Sequence, residues 1–422
     1  MAALTDLAAI ITTEAQRISE YLDQQQLPQP SFSVDGPGEL PIPPEDETLK
    51  ASQRRLLAAA EDLVALTLGP VEQLRWQAWN QFNSNISLHA ILRFRLAEAV
   101  PDKGGITFAE VSKISEVPEA VVTRALRHAM LSHIFCEPEP GVVAHTASSL
   151  ALRNNQSVRD WIDMTFEEWG PAAVKTVDAL TQFPDSEEPN QTGFGLAFNN
   201  QTIFQYLAER PERSKVFGGA MANFSKGTSH KVEHFVHGYD WKSLGKGTVV
   251  DIGGSHGHIS LAVAKEAPEL RFIVQDLPGT AADGEKLLDP DFKDRITFMG
   301  HDMNNVQPIF GASVYMFRSV LLNWPKKYCV KFIKNLIPAL KPGSKVIINE
   351  GILPEPGTLS RWEDRIVRSL DLCMVGMFNS NERTVEEWKE IFALADERFK
   401  FQGVTRPNEA SLLWIIEVVW DI

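Results

Sequence analysis

A glycine-rich turn between two apolar runs constrains this chain more than any other feature. The stretch Thr248-Val-Val-Asp-Ile-Gly-Gly-Ser-His-Gly-His-Ile-Ser260 begins as an apolar run that ends at Asp251. It passes through a tight turn holding Gly253, Gly254 and Gly257 and enters the apolar pattern of a helix from Ile259 to Ala267. Glycine suits such a turn because the backbone bends sharply and lies against a ligand with no Cβ in the way. A second apolar run, Phe272 to Val274, leads to Asp276, about where a βαβ nucleotide site places the acid that grips ribose hydroxyls. The unit reads as strand, loop, helix and strand built around a nucleoside. Its glycine order, Asp-x-Gly-Gly-x-x-Gly, differs from the Gly-x-Gly-x-x-Gly of dinucleotide sites and weakens a pyrophosphate reading.

Beyond residue 248 strand and helix patterns alternate, with strands expected at 248–252, 271–275, 295–299, 312–317, 344–349, 398–403 and 411–420. Alternation of this kind implies an α/β domain with a mostly parallel sheet, helices on both faces and ligands at the carboxyl ends of the strands. Thr384-Val-Glu-Glu387 is a capping box that opens a helix through Leu394.

The N-terminal half has a different character. Leu4, Leu7, Ile11, Ile18 and Leu22 line one face of a helix through about residue 24, and its narrow stripe is expected to pack on a second subunit. The Pro-, Gly- and Ser-rich stretch Leu27 to Glu45 follows as an extended arm. A helix from Leu49 to Leu68 is expected to stop at Gly69-Pro70, with another over Ser87 to Ala99. Thr107 is placed to cap Phe108 to Ile114, Pro118 to open Glu119 to Leu131, and Phe135 to His145 to form a hairpin. Three helices and a hairpin make a winged-helix pattern. The division expected is 1–46 for the first helix and arm, 47–240 for a helical winged-helix-like dimerisation and substrate domain, and 241–422 for the Rossmann-like domain.

Composition narrows the partners. Lys plus Arg is 41 against 55 for Asp plus Glu, a net charge of −14, and the Glu119 to Leu131 helix offers only Arg124 and Arg127, so nucleic acid is not the expected partner. Three cysteines, Cys136, Cys329 and Cys373, form no CxxC, which suits a reducing compartment without a disulfide framework or a zinc site. His230, His234 and His237 recur at helical spacing, but no acid or cysteine follows to complete a metal site. No basic start precedes an apolar segment and no apolar run approaches the roughly 18 residues of a membrane span. The expectation is a soluble, cytoplasmic protein with no membrane and no metal.

The glycine turn resembles the first motif of class I S-adenosylmethionine (SAM) dependent methyltransferases. The resemblance continues in Gly300-His-Asp-Met303, Phe317-Arg-Ser-Val-Leu-Leu-Asn-Trp324, Ala339-Leu-Lys-Pro-Gly343 and Ile347-Ile-Asn-Glu-Gly-Ile-Leu-Pro354. In this order the motifs resemble the small-molecule O-methyltransferases of plant and fungal secondary metabolism, over roughly residues 50 to 420. That resemblance implies a homodimer with SAM as cofactor. Gly253 and Gly254 would lie along the methionine portion and ribose, Asp276 on the ribose hydroxyls, Leu277 against adenine, and Asp302 and Met303 on its other side. Leu322, Asp371, Met374, Met377 and Phe378 would line the pocket of an aromatic or polyketide-derived small molecule.

One position departs from the family. Methyl transfer to a hydroxyl calls for a group that takes its proton, usually His. The family supplies it in a His-Asp-Trp sequence after the fourth strand; this chain has Leu322-Asn323-Trp324 there, while Glu350 and Glu382 match the two acids that orient that His. The departure resembles a group of fungal pericyclases that keep the fold and bind SAM without consuming it. A cycloaddition, of hetero-Diels-Alder or Alder-ene type, needs no base, only a closed apolar pocket and donors for a carbonyl. Arg318, always protonated, is the expected second donor beside the sulfonium, and His145 the expected acid-base group for a preceding dehydration. Two alternatives stay open. One is an O-methyltransferase with an atypical base, His145 or Glu382; the other is a SAM-binding partner subunit without chemistry of its own.

Overall fold

The stripe of Leu7, Ile18 and Leu22 on helix Leu4–Gln24 is buried within the chain itself. Ile18 and Leu22 pack with Ile42 from the arm and Leu49 from the next helix. Arg55 of that helix donates to Glu14 at 2.7 and 3.1 Å, and Arg17 adds a third bond at 3.1 Å, so the buried carboxylate is neutralised. Ile18 and Leu22 thus find a partner in the same chain, while Leu4 of the stripe stays 50% exposed. The computed structural model describes residues 3–43, 46–226 and 228–421; Met1, Glu45 and Ile422, which bound expected segments, lie outside the described residues.

The chain divides into two units. The first comprises Met1–Glu168, Arg210–Phe224 and Ser360–Trp362, and the second Trp169–Glu209, Ser225–Leu359 and Glu363–Ile422.

In the first unit the predicted stop at Gly69-Pro70 is a break inside a longer helical run, Glu47–Arg93. Gly69 leaves helical geometry at φ 74°, ψ 162°, and Pro70, which needs no N–H partner, starts the next helical segment at once. Helix therefore covers 71–86, where sequence patterning suggested none: apolar side chains there point outward and obscure the amphipathic signal. Strands β1 (Gly105–Thr107), β2 (Cys136–Glu139) and β3 (Val142–Ala144) form an antiparallel sheet in the order β1-β3-β2. Thr107 and Glu110 make the capping box that starts helix Phe108–Ser115, and Glu119–Met130 follows with Pro118 as its N-cap. Phe108, Val111, Val122, Leu126, Phe135 and Val143 close the core of this winged-helix-like module.

The second unit carries a seven-stranded sheet: β4 (Thr248–Ile252), β5 (Arg271–Asp276), β6 (Ile296–Gly300), β7 (Val314–Arg318), β8 (Lys345–Gly351), β9 (Phe399–Thr405) and β10 (Leu413–Trp420). Their order is β6-β5-β4-β7-β8-β10-β9, parallel from β6 to β8, with β10 antiparallel to both neighbours. Both faces are buried, as the unbroken apolar strands require. Val249, Val274, Val314 and Met316 face one core, and Val250, Tyr315, Phe317 and Ile348 the other, where helices Lys326–Leu336 and Val385–Ala395 pack. The order reverses direction at β4 and β7, and the crevice at their carboxyl ends is where such sheets hold ligands. The expected histidine row is interrupted: His230 sits in a turn, Thr228–His230, ahead of helix Val232–Gly238.

Candidate functional site

The turn after β4 is shaped by contacts that leave no room for side chains. Gly253 has φ +72°, and a Cβ there would stand 2.8 Å from Val320 Cγ2; a Cβ on Gly254 would stand 2.6 Å from the Asp251 carboxyl carbon. The N–H groups of Gly253 and Gly254 both donate to the Gln275 carbonyl, at 2.8 and 3.1 Å, which ties the turn to the end of β5. Gln275 is buried and exchanges two amide bonds with Gln307, at 2.9 and 2.8 Å. Asp251, also buried, accepts from Ser260 Oγ at 2.7 Å, and burial raises its carboxyl to about 6.

Asp276 ends β5 with both carboxylate oxygens aimed by the backbone, Oδ2 accepting from Ser255 N–H at 2.9 Å and Oδ1 from Leu277 N–H at 2.8 Å. Each oxygen keeps acceptor capacity for a ribose hydroxyl. Leu277 is 55% exposed, free to cover an adenine ring. After β6, Asp302 is exposed and turns back on Asn304, while Met303 is half-buried against the sheet core. Gly253, Gly254, Asp276, Leu277, Asp302 and Met303 thus all lie on the carboxyl ends of β4, β5 and β6. Carboxylate, glycine turn and flanking apolar side chains fit the ribose and adenine of SAM.

Arg318 ends β7, next in the sheet to β4. Its Nε donates to Asn349 Oδ1 and its Nη2 to the His230 carbonyl, each at 2.9 Å. Burial lowers it to about 10, so it remains protonated at neutral pH. Burial, and after it the Arg318 charge, lower His230 to about 4.

The turn Leu321–Asn323 follows, with Leu321 fully buried and Leu322 half-buried. Beneath it, Glu350 Oε1 accepts from the N–H groups of Val320 and Leu321 at 2.9 and 2.6 Å. Glu382 comes from the loop before helix Val385–Ala395, its Oε2 lying against Gly351 where a Cβ would collide with it. Its N–H donates to Asp371 Oδ1 at 2.8 Å. Arg383 packs beside them but spends its donors on the carbonyls of Leu321 and Trp324, at 3.1 and 2.5 Å, and on Ser380. Glu350 and Glu382 are 1% and 2% exposed, and Glu350 Oε2 and Glu382 Oε1 have no hydrogen-bond partner among the described residues. Burial pushes Glu350 up to about 7 and Glu382, with Glu350 and Asp371 as further causes, up to about 8, against the pull of Arg383.

Met374, Met377 and Phe378 are buried on helix Arg361–Phe378, and Phe378 meets Phe204, which stacks on Trp324 with ring centroids 6.0 Å apart. Sequence reading missed Arg383 and the Gln275–Gln307 pair. A charge beside Glu382 just ahead of a capping box was the available signal for the first, and the amide pair left none.

His145 belongs to the first unit. It is 5% exposed, its Nδ1 lies 2.8 Å from Ser149 Oγ, its Nε2 3.2 Å from the Val100 carbonyl, and its ring 5.3 Å from Phe135. It also lines a cavity of about 520 Å³ with Phe32, Met130 and His133. Burial lowers its pKa, which keeps the ring neutral. Among the described residues no group of His, Cys, Asp and Glu side chains is arranged to hold a metal ion, and no helix is long and apolar enough to cross a membrane.

A profile of the O-methyltransferase domain matches residues 180–396. The chain is 37% identical over 422 residues to the chlorophenol O-methyltransferase of Trichoderma longibrachiatum, an alignment covering 98% of this chain and 90% of that one. The solved structure of OxaC with SAH and oxaline is similar at a TM-score of 0.76 and 23% identity, covering 98% of this chain and 100% of that one. LepI in complex with SAM is similar at 0.71 and 19% identity, with 98% and 100% covered. At these identities the likeness to the two structures is one of fold.

Proposed function

Because this chain belongs to the O-methyltransferase family and takes SAM as its cofactor, we propose that it methylates a hydroxyl of a small aromatic or polyketide-derived molecule. The observation that carries this reading is full-length kinship with an O-methyltransferase, joined to a glycine and Asp276 cradle that fits the cofactor. Bound SAM supplies a methyl group on a positively charged sulfur. Asp276 holds the ribose, the backbone at Gly253 and Gly254 admits the methionine portion, and Met303 and Leu277 flank adenine. Phe204, Trp324 and Phe378 form an aromatic wall that suits a flat acceptor. Holding acceptor oxygen and methyl carbon in line supplies much of the acceleration, up to about 7–11 kcal/mol in favourable cases.

Leu322 favours a second reading, a pericyclase that keeps its SAM. A side chain that takes no proton occupies the position where the family carries its base, and a cycloaddition needs none. Arg318, protonated and fixed by Asn349, would then polarise the substrate carbonyl. His145 would have to give up Ser149 or Val100 to serve as acid or base, and we assign it a structural part at the foot of the hairpin. The protein is assigned to the cytoplasm, in keeping with three free cysteines, and to a homodimer. The homodimer reading draws on Val71, Leu74, Trp79, Phe82 and Ile86, each between 61% and 69% exposed on one helix.

Incubation with SAM and a panel of chlorinated phenols and enolic polyketides, followed by mass spectrometry, separates the readings. Methyl transfer predicts a product heavier by one methyl and stoichiometric S-adenosylhomocysteine. Isomerised or dehydrated product with SAM intact supports the pericyclase, and bound SAM without any product supports a partner subunit.

A further inference from the structure

The turn that carries position 322 is held by polar groups that the Leu322 side chain cannot use. Glu350 from β8 accepts from the Leu321 N–H of that turn and Arg383 donates to the Leu321 carbonyl, while Glu382, from the loop before helix Val385–Ala395, lies against Gly351 next to Glu350 and donates its N–H to Asp371. Leucine offers them neither donor nor charge. An unpartnered buried carboxyl oxygen is costly, and here there are two, on Glu350 and on Glu382.

Resting on the methyl-transfer reading, we propose that Glu350 and Glu382 work as one carboxyl pair that accepts the hydroxyl proton of the substrate, directly or through one water. Glu350 is the fixed member, held on Oε1 by two backbone donors; Glu382 is the receiving member, with its buried Oε1 unpartnered. Glu382 lies against Gly351, the neighbour of Glu350, and the Glu350 charge opposes its ionisation, so the pair titrates as a unit and holds one proton near neutral pH. The groups facing the pair are Arg383, which favours ionisation, Asp371, which opposes it, and the Cys329 thiol, which burial keeps protonated. In the transfer the O–H bond breaks and its proton goes to the free carboxylate oxygen. The oxygen's electron pair forms the bond to the methyl carbon as the carbon–sulfur bond breaks, and that pair stays on sulfur. The pair, now carrying two protons, returns one to water. The usual requirement of a general base, a group titrating near the working pH, is met without an imidazole.

The test compares wild type with Glu382→Gln and Glu350→Gln, using one phenol of fixed acidity and SAM. For wild type the expected kcat/KM rises with pH through about 7. Glu382→Gln is expected to lower kcat by about 10²–10⁴-fold, the usual share of a general base, and to flatten that rise, with SAM affinity by calorimetry unchanged. Its melting temperature at pH 9 is expected to exceed that of wild type, because a glutamine donates to Glu350 where a second buried carboxylate would repel it. Glu382→Gln turning over at the wild-type rate with the wild-type pH profile would overturn the proposal, as would a melting temperature at pH 9 below that of wild type. Wild type that binds SAM but forms no S-adenosylhomocysteine with any acceptor would overturn methyl transfer itself, and the pair's part in it.

Discussion

The Arg318 guanidinium donates through Nε to Asn349 Oδ1 at 2.9 Å, across a β7–β8 register that sets the two residues side by side. A second donor reaches the His230 carbonyl and so joins the sheet to the segment ahead of helix Val232–Gly238. Lysine keeps the charge but has a compact ammonium in place of the planar fork. Arg318→Lys is expected to lose about 1–3 kcal/mol of stability in urea denaturation, and to weaken SAM binding by calorimetry about tenfold.

Gly253 is strained for any other residue twice over, by its positive φ and by Val320 at 2.8 Å from the added Cβ. Gly253→Ala is expected to destabilise the protein by about 1–3 kcal/mol. It should also lower SAM affinity at least tenfold in the same calorimetric titration, because the turn must move away from Val320 and off the ligand. An alanine variant that binds SAM as wild type does would show that the turn is not the cradle.

Much of this was legible because strands and glycine turns follow short-range rules. The alternation after residue 248 marked all seven strands to within a few residues, and the spacing from Gly253 to Asp276 put both at neighbouring strand ends. The first helix was harder: a narrow stripe says that a partner exists, not which one, and Glu14–Arg55 joins residues far apart in the chain. Helix 71–86 was hidden because its apolar residues face outward. The proton-holding state of Glu350 and Glu382 was beyond reach, since burial sets it, with the Glu350 charge added at Glu382, and neither is a property of sequence neighbours.

Glu350 and Glu382 give stability a defined pH dependence. Each carries a pKa raised from 4.5, to about 7 and about 8, so between those values the folded chain binds more protons than the unfolded chain. Stability from this pair is therefore intact below pH 4.5 and falls as pH rises through about 8. The double variant with glutamine at both positions is expected to remove that fall. Melting curves from pH 5 to 9, compared between wild type and the double variant, measure it.

The exposed row Val71, Leu74, Trp79, Phe82 and Ile86 predicts self-association. Light scattering after size exclusion should give twice the chain mass for wild type and a shift toward one chain mass for Trp79→Glu with Phe82→Glu. Wild type running as a monomer would remove the homodimer reading.

The most direct measurement is transfer from SAM carrying an isotopically labelled methyl group, with acceptor mass and S-adenosylhomocysteine followed in one reaction for wild type and Leu322→His. Label appearing in the acceptor, one equivalent per S-adenosylhomocysteine, and faster in Leu322→His, where an imidazole regains Glu350 and Glu382 as partners, is the predicted result. An acceptor isomerised or dehydrated at unchanged label, with SAM intact in both proteins, would contradict methyl transfer and leave the pericyclase reading standing.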